Sequence, residues 1–417
     1  MSKPNPVSIA EVYHSNDLEQ QRSRYNAAAE KFKSYFGSEG LHCRYFSAPG
    51  RTEVGGNHTD HNHGKVLAAA VNLDVIAVVE STDDGIITLK SEGFDECRID
   101  TADLEVKENE KNTSDALIRG VAAGFKNNGY NIGGFKAYTT SNVLKGSGLS
   151  SSAAFEVLIG NILSALYNNG GMSGIKIAQI AQYAENMYFG KPSGLMDQMA
   201  SSVGGFVAID FKDVESPIIE QIDVDFEGFG HALCIIDTKG DHADLTADYA
   251  SIPAEMKQVA NFFSVDYLRQ ICREDIMLNI IQLRAELGDR AVLRSLHFFN
   301  ENERVDKLSH ALKSNDFPAF LEYIKASGDS SYKYLQNVFT VNDIKNQALG
   351  IGLNVSDDVL NGKGACRVHG GGFAGTIQAF VPVEMLKEFK MSLDKVFGNG
   401  ACHVLRTRKT GGTEVIL

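Results

Sequence analysis

A chain of 417 residues with 43% hydrophobic and 22% charged residues and only 8 prolines has the length for two packed domains and the composition of an ordinary globular protein. Its formal charge of −13 argues against a nucleic-acid groove or an anionic membrane surface as the main partner. The closest two of its six cysteines, Cys366 and Cys402, stand 36 positions apart, which leaves no zinc ribbon or redox pair, and no signal-peptide pattern or membrane-length apolar run occurs, so free thiols in the cytoplasm are expected.

In chain order, Ile9 to Phe36 reads as helical, with Leu18, Tyr25, Ala29 and Phe32 near helical spacing. Tyr45–Gly50 breaks that pattern, and Ala48–Gly64 reads as a glycine-punctuated polar loop. Val66–Val79 and Ile86–Lys90 are rich in β-branched residues and predict strands. Glu105–Asp115 predicts an exposed loop. An amphipathic helix is expected after Ser152, and another over Ile175–Tyr188, ended by Gly190. Beyond Gly204-Gly205 the texture changes: strands are expected at Phe206–Asp210 and Ala232–Asp237, and a mainly helical region over Pro253–Leu312. The fold class is therefore mixed α/β (α+β), divided into domains 1–204 and 205–417.

Three glycine-rich segments carry the chemistry. The sharpest is Gly146-Ser147-Gly148-Leu149-Ser150-Ser151-Ser152, which runs straight into a helix. Unpaired N–H groups at a helix start hold phosphate, the glycines let the loop close around it, and serine hydroxyls bond the anion or ligate Mg²⁺. An earlier segment, Arg51 to Gly64, gathers Asn57, His58, Asp60, His61 and His63, polar groups suited to a polyhydroxylated ligand. Its histidine spacing is not a zinc pattern. The last segment, His369-Gly370-Gly371-Gly372-Phe373-Ala374-Gly375, formally contains GxGxxG, but the residues after it predict a strand rather than a helix. A turn between strands that lets backbone approach a ligand is the expectation. No GxxxxGK[ST] run occurs, which excludes a P-loop enzyme.

Together, in this order and over nearly the whole length, these segments resemble the galactokinase branch of the superfamily of galacto-, homoserine, mevalonate and phosphomevalonate kinases. Ala48-Pro49-Gly50-Arg51 through Asn57-His58-Thr59-Asp60 is similar to the galactokinase signature; the other two segments are similar to superfamily-wide motifs. The resemblance implies a two-domain sugar kinase with its site between the domains, ATP and Mg²⁺ as cofactors, a small-molecule sugar as partner, and a monomer or homodimer. It implies that Asp197 is catalytic with Arg51 beside it. Asn57, His58, Asp60 and Tyr249 would bind the sugar, the last in a loop with His242. Lys145, Gly146, Ser147, Gly148, Leu149, Ser150, Ser151 and Ser152 would hold the ATP phosphates, and Ser151 and Glu185 would share the metal. Several positions depart from the family pattern, Leu144, His369 and Ala374 among them; in the sugar-binding signature Asn57 stands where a glutamate is usual, and Glu53 where an asparagine is usual. That exchange keeps open a kinase for another sugar, such as N-acetylgalactosamine; a non-catalytic sugar sensor is the alternative from a different class.

Overall fold

The computed structural model describes residues 6–37, 42–144, 148–224, 226, 228–240 and 245–417. The sequence-predicted residues Lys145, Gly146, Ser147 and His242 lie outside them.

The long β3 (Lys65–Thr82) organises the first half of the molecule, because its run of small and β-branched side chains can be buried on both faces. Its neighbours are β2 (Arg44–Gly55) on one side and, on the other, β6 (Gly134–Ser141) along its C-terminal half and β7 (Phe206–Asp210) along its N-terminal half. With β1 (Val7–Ser8), β4 (Ile86–Ser91), β5 (Glu96–Asp100), β8 (Ile218–Ile222) and β13 (Thr413–Ile416) they form a nine-stranded sheet. A second, antiparallel sheet orders β10 (Ala365–Val368), β11 (Thr376–Pro382), β9 (His231–Asp237) and β12 (Cys402–Leu405) as β10-β11-β9-β12.

The expected boundary near Gly204 falls inside the first sheet, since β7 and β8 still belong to it and the chain returns at its far end to supply β13. Aromatic side chains knit the parts together. Phe226 meets Phe206 of the first sheet, Phe380 of the second, and Phe317 and Phe320 of the helix Phe317–Ser330, with ring centroids 5.3–6.0 Å apart. The helix Leu18–Phe36 covers one face of the first sheet by burying Tyr25 and Phe32 against Ile76, Val78 and Tyr138. The helices Ser114–Asn127, Ser151–Tyr167, Gly174–Ala184 and Met196–Val203 share the remaining core with that sheet. Among the described residues no helix is long and apolar enough to cross a membrane.

Most predicted elements stand within a few residues of their expected bounds. The polar segment from Ala48 differs: as far as Gly55 it is strand, not loop. Pairing with β3, continued from Tyr45–Ser47 where β13 adds a second partner, overrides its proline and glycines, which are absorbed by register shifts at Pro49/Arg51 and Glu53/Gly55. The predicted loop Glu105–Asp115 also ends early, because Thr113 caps a helix that starts at Ser114.

Candidate active site

Strand β2 carries Arg51 and Glu53 to the edge of a cavity of about 480 Å³. Past the strand, Gly56 at φ +89° turns the chain with its Cα close against Val66, where any Cβ would collide with backbone. This turn brings His58, Asp60 and His61 to the same cavity; its remaining wall is Lys191–Gly194, Met196, Asp197, Tyr249, Ala250, Pro253, Gly370 and Gly371. The site therefore lies between the first sheet with its helices on one side, and the helix Thr246–Phe262 and the β10–β11 turn on the other. Phe373, at φ +60° in that turn, packs edge-on to Tyr249, 5.5 Å between centroids, and the Tyr249 hydroxyl donates to Gly372 O at 2.9 Å.

The phosphate-type loop meets β2 backbone to backbone. Arg51 N–H donates to Leu149 O at 3.0 Å, its Nη1 donates to Gly148 O, and Gly50 leaves no room for a Cβ beside Leu149 O. Gly148 lies at φ +68° with His369 packed beneath it. His369 Nδ1 bonds Thr376 Oγ1 at 3.0 Å, and its Nε2 accepts from Glu53 N–H at 3.3 Å, so the third glycine segment is keyed to the first and second through one imidazole. Ser150 stands at φ +55°, a backbone conformation that non-glycine residues hold only where their surroundings impose it, and the helix begins at Ser151.

Arg51 and Asp197 form a two-pronged pair, Nε to Oδ1 at 2.7 Å and Nη2 to Oδ2 at 2.6 Å. Asp197 sits in the first turn of Met196–Val203, where the helix dipole favours a carboxylate. Burial pushes its carboxyl up, but the charges of Arg51 and Lys191 and hydrogen bonds from Arg51 and Ser150 outweigh that and hold it below the ordinary carboxylate value. Asp197 is therefore an ionised acceptor, facing the cavity at neutral pH.

Behind it lies Glu185, buried, at the point where the α-helix Gly174–Ala184 passes into one turn of π-helix. Such turns widen a helix locally and recur at functional sites. Glu185 Oε1 accepts from Ser152 Oγ at 3.0 Å and Lys191 Nζ at 2.8 Å; Oε2 accepts from Ser193 Oγ at 2.6 Å and Gln198 Nε2 at 2.7 Å. Gln198 also donates to Glu156 at 3.1 Å. Burial first, then the neighbouring Glu185 charge, pushes the Glu156 carboxyl well above its ordinary range.

Asn57 is the predicted site residue that the structure places elsewhere. It has no exposed surface, and its amide is spent on protein: Nδ2 donates to both Glu53 oxygens at 3.1 Å and to Gly370 O at 2.7 Å, while Oδ1 accepts from Ser331 Oγ at 3.2 Å and Asn337 Nδ2 at 2.8 Å. Glu53 lines the cavity in its place, paired at 2.6 Å with fully buried Arg367. The serine that reaches Glu185 is Ser152, whereas Ser151 lines a second cavity of about 610 Å³ with Ser152, Val75, Phe94, Leu117, Val143 and Phe155. His58, Asp60, Tyr249, Arg51 and Asp197 share the first cavity as expected from the sequence; its reading missed Glu53, Lys191 and Ser193, which line the same cavity, and Gln198, which donates to Glu185. The serine, the amide and the lysine lie within six residues of Asp197, which is the signal that would have found them.

The galactokinase galactose-binding signature matches residues 30–81, and the N-terminal domain of GHMP kinases matches residues 116–205. The galactokinase of Streptomyces coelicolor is 30% identical over 358 residues, covering 85% of this chain and 88% of the relative. That of Actinobacillus pleuropneumoniae serotype 5b is 30% identical over 358 residues, covering 85% and 89%. Among solved structures, Lactococcus lactis galactokinase complexed with galactose superposes with a TM-score of 0.79 at 24% identity, covering 94% of this chain and 99% of that one. Methanococcus jannaschii mevalonate kinase superposes with a TM-score of 0.62 at 16% identity, covering 89% and 99%. With that length of match and the signature falling on the strand and turn that build the cavity, the chain belongs to the galactokinase family and is a sugar kinase.

Proposed function

We propose that this enzyme transfers the γ-phosphoryl group of ATP to the anomeric hydroxyl of galactose, giving galactose 1-phosphate and ADP, in the cytoplasm. The observation that carries the reading is the Arg51–Asp197 pair at 2.6–2.7 Å in the wall of a sugar-sized cavity, one hydrogen bond from the Ser150 that precedes the serine-rich helix start.

Phosphoryl transfer asks a protein for in-line positioning and charge neutralisation. The second cavity, apolar at Phe94, Leu117 and Phe155 and polar toward Ser151 and Ser152, suits a nucleotide whose phosphates lie over the helix N-terminus. Asp60, His58, Glu53 and Tyr249 supply hydrogen-bonding groups for sugar hydroxyls. His58 is neutral there, its pKa pushed down to about 3 by burial first and by His61 next, so one ring nitrogen bonds Gly371 O and the other is left for the sugar. Asp197 orients the C1 hydroxyl and accepts its proton as the oxygen attacks, and Arg51 keeps Asp197 ionised.

The donor set around Ser152 and Glu185 fits Mg²⁺: a hydroxyl and a carboxylate oxygen, hard donors that leave positions for phosphates and water. When bound, the ion neutralises charge on the phosphates; Ser152 and Glu185 would hold it. ATP consumption with Mg²⁺ across galactose, N-acetylgalactosamine, glucose and arabinose, with the product read by ³¹P NMR, tests the reading. Turnover dominated by galactose and a 1-phosphate product are expected. Dominance of another sugar, or no turnover on any, overturns it.

A further inference from the structure

Two cationic side chains among the described residues line the first cavity, Arg51 and Lys191, and they are held very differently. The Arg51 side chain is 7% exposed and locked, with Nε and Nη2 on Asp197 and Nη1 on Gly148 O. Its charge is matched by Asp197. The Lys191 side chain is 54% exposed and makes one hydrogen bond among the described residues, Nζ to Glu185 Oε1 at 2.8 Å. An ammonium has three N–H donors, so two remain for a ligand. Its backbone is fixed: the N–H groups of Gly190 and Lys191 both donate to Glu185 O, at 3.0 and 3.1 Å, closing the π-turn. A fixed base and a flexible four-carbon stem let the charge move while its root stays in place.

The position of that charge is specific. Lys191 Nζ and Ser152 Oγ meet on the same Glu185 oxygen, so the ammonium lies beside the start of the serine-rich helix. It also faces Asp197, whose ionised form it helps to stabilise, and Tyr249 across the cavity. Lys191 therefore stands between the phosphate end of the site and the proton acceptor, where the transferred group must pass. Arg51 with Asp197 and Lys191 with Glu185 make two formally neutral pairs. Without Lys191 the cluster carries an excess negative charge facing a polyanionic nucleotide, which opposes binding and transfer.

We infer that Lys191 is a catalytic residue for this reaction: its ammonium leaves Glu185 and binds the γ-phosphoryl oxygens of ATP, holding them through transfer. The inference rests on the nucleotide and sugar reading above. It predicts that Lys191 distinguishes a triphosphate from a diphosphate, which a mere tether for Glu185 does not.

The test measures, by titration calorimetry in Mg²⁺, the affinities of ADP and of the non-hydrolysable β,γ-imido analogue of ATP for the wild type, Lys191→Met and Lys191→Arg. The kcat and the galactose KM are measured in parallel. Lys191→Met is expected to weaken the analogue relative to ADP by about tenfold or more, the scale of one charge-assisted hydrogen bond. It should lower kcat by roughly 10²-fold, with the galactose KM changed by less than about threefold. Lys191→Arg should recover most of the analogue-to-ADP preference. An analogue-to-ADP ratio unchanged in Lys191→Met, or equal weakening of both nucleotides, overturns the inference and leaves Lys191 as a tether. If the wild type phosphorylates no sugar, the proposed function falls, while the nucleotide ratio still decides the role of Lys191.

Discussion

Replacing Asp197 by asparagine removes one negative charge and the proton-accepting oxygen while keeping the side chain's size. One prong of the Arg51 pair survives, because the amide oxygen still accepts. The other brings an N–H donor against a guanidinium N–H at a 2.6 Å position, so that bond is lost and Arg51 keeps an unmatched charge in a buried place. Leaving a hydrogen bond to a charged group unmade costs about 1–3 kcal/mol of stability, which a thermal melt reads as a modest fall rather than collapse. The catalytic loss is larger. Without a carboxylate to take the C1 proton, general-base assistance worth about 10²–10⁴ in rate disappears, or roughly 3–5 kcal/mol of barrier. A coupled ADP-release assay at saturating ATP should show that drop in kcat, with galactose binding by calorimetry within a few-fold of wild type. A variant within tenfold of wild-type kcat, or a loss that lies wholly in the galactose KM, refutes the assignment of Asp197 as the acceptor.

The remaining predictions concern pH, packing and charge. Because Asp197 is held below the ordinary carboxylate value, its ionised form persists as pH falls, and kcat/KM should show no acidic limb from this group between pH 5 and 8; a limb in that range in the wild type that vanishes in Asp197→Asn argues against it. Gly194→Ala should raise the galactose KM with little change in melting temperature, since a Cβ there would lie 1.8 Å from Asp60 Oδ2 and must displace that carboxylate; an unchanged KM would remove Asp60 from the sugar site. Arg367→Met leaves Glu53 buried without its partner and should cost about 3–5 kcal/mol in urea melts. Burial already raises the Glu53 carboxyl, and losing Arg367 raises it further, so the variant's deficit should be smaller at pH 5, where Glu53 takes up a proton, than at pH 8. Glu301 runs the other way: burial raises its carboxyl, but Arg304, His297 and Arg367 pull it down to about 2, so the stability it contributes is full above its ordinary value and lost as pH falls from about 4.5 toward 2. Acid-unfolding curves of Glu301→Gln that match wild type through that window would contradict this.

What the sequence disclosed followed from how local each signal was. The buried strand Lys65–Thr82 and the helix after Ser150 announce themselves through β-branched and helical periodicity, which neighbours in the chain create by themselves. His58 and Asp60 were legible because polar groups cluster in their segment, whereas Asp197 and Tyr249 were named only through the resemblance to the galactokinase branch. Pairing is a different matter. Ala48–Gly55 reads as loop because proline and glycine are poor strand formers, and only its pairing with β3, which no local pattern reveals, makes it a strand. The same holds for Asn57: nothing local says that Ser331 and Asn337, more than 270 positions away, consume its amide and leave the cavity wall to Glu53. Choosing between Ser151 and Ser152 likewise needed the helix's rotation, which brings the Ser152 hydroxyl onto Glu185 while both serines line the second cavity.

The strand β13 has a consequence for how the enzyme comes into being. It lies between β1 and β2, pairing parallel with one and antiparallel with the other, and the nearby Arg408 reaches back to Asp74 at 3.0 Å. On the ribosome, β2 can therefore zip to β3 early, but its other edge has no partner until residues 413–416 emerge, some 360 residues later. Throughout that interval Tyr45–Ser47, the start of the strand that leads to Arg51 and Glu53, shows open N–H and C=O groups along that edge, the condition under which nascent chains join to one another. The strand that supplies Arg51 and Glu53 is thus completed along that edge only when the last residues of the chain have been made.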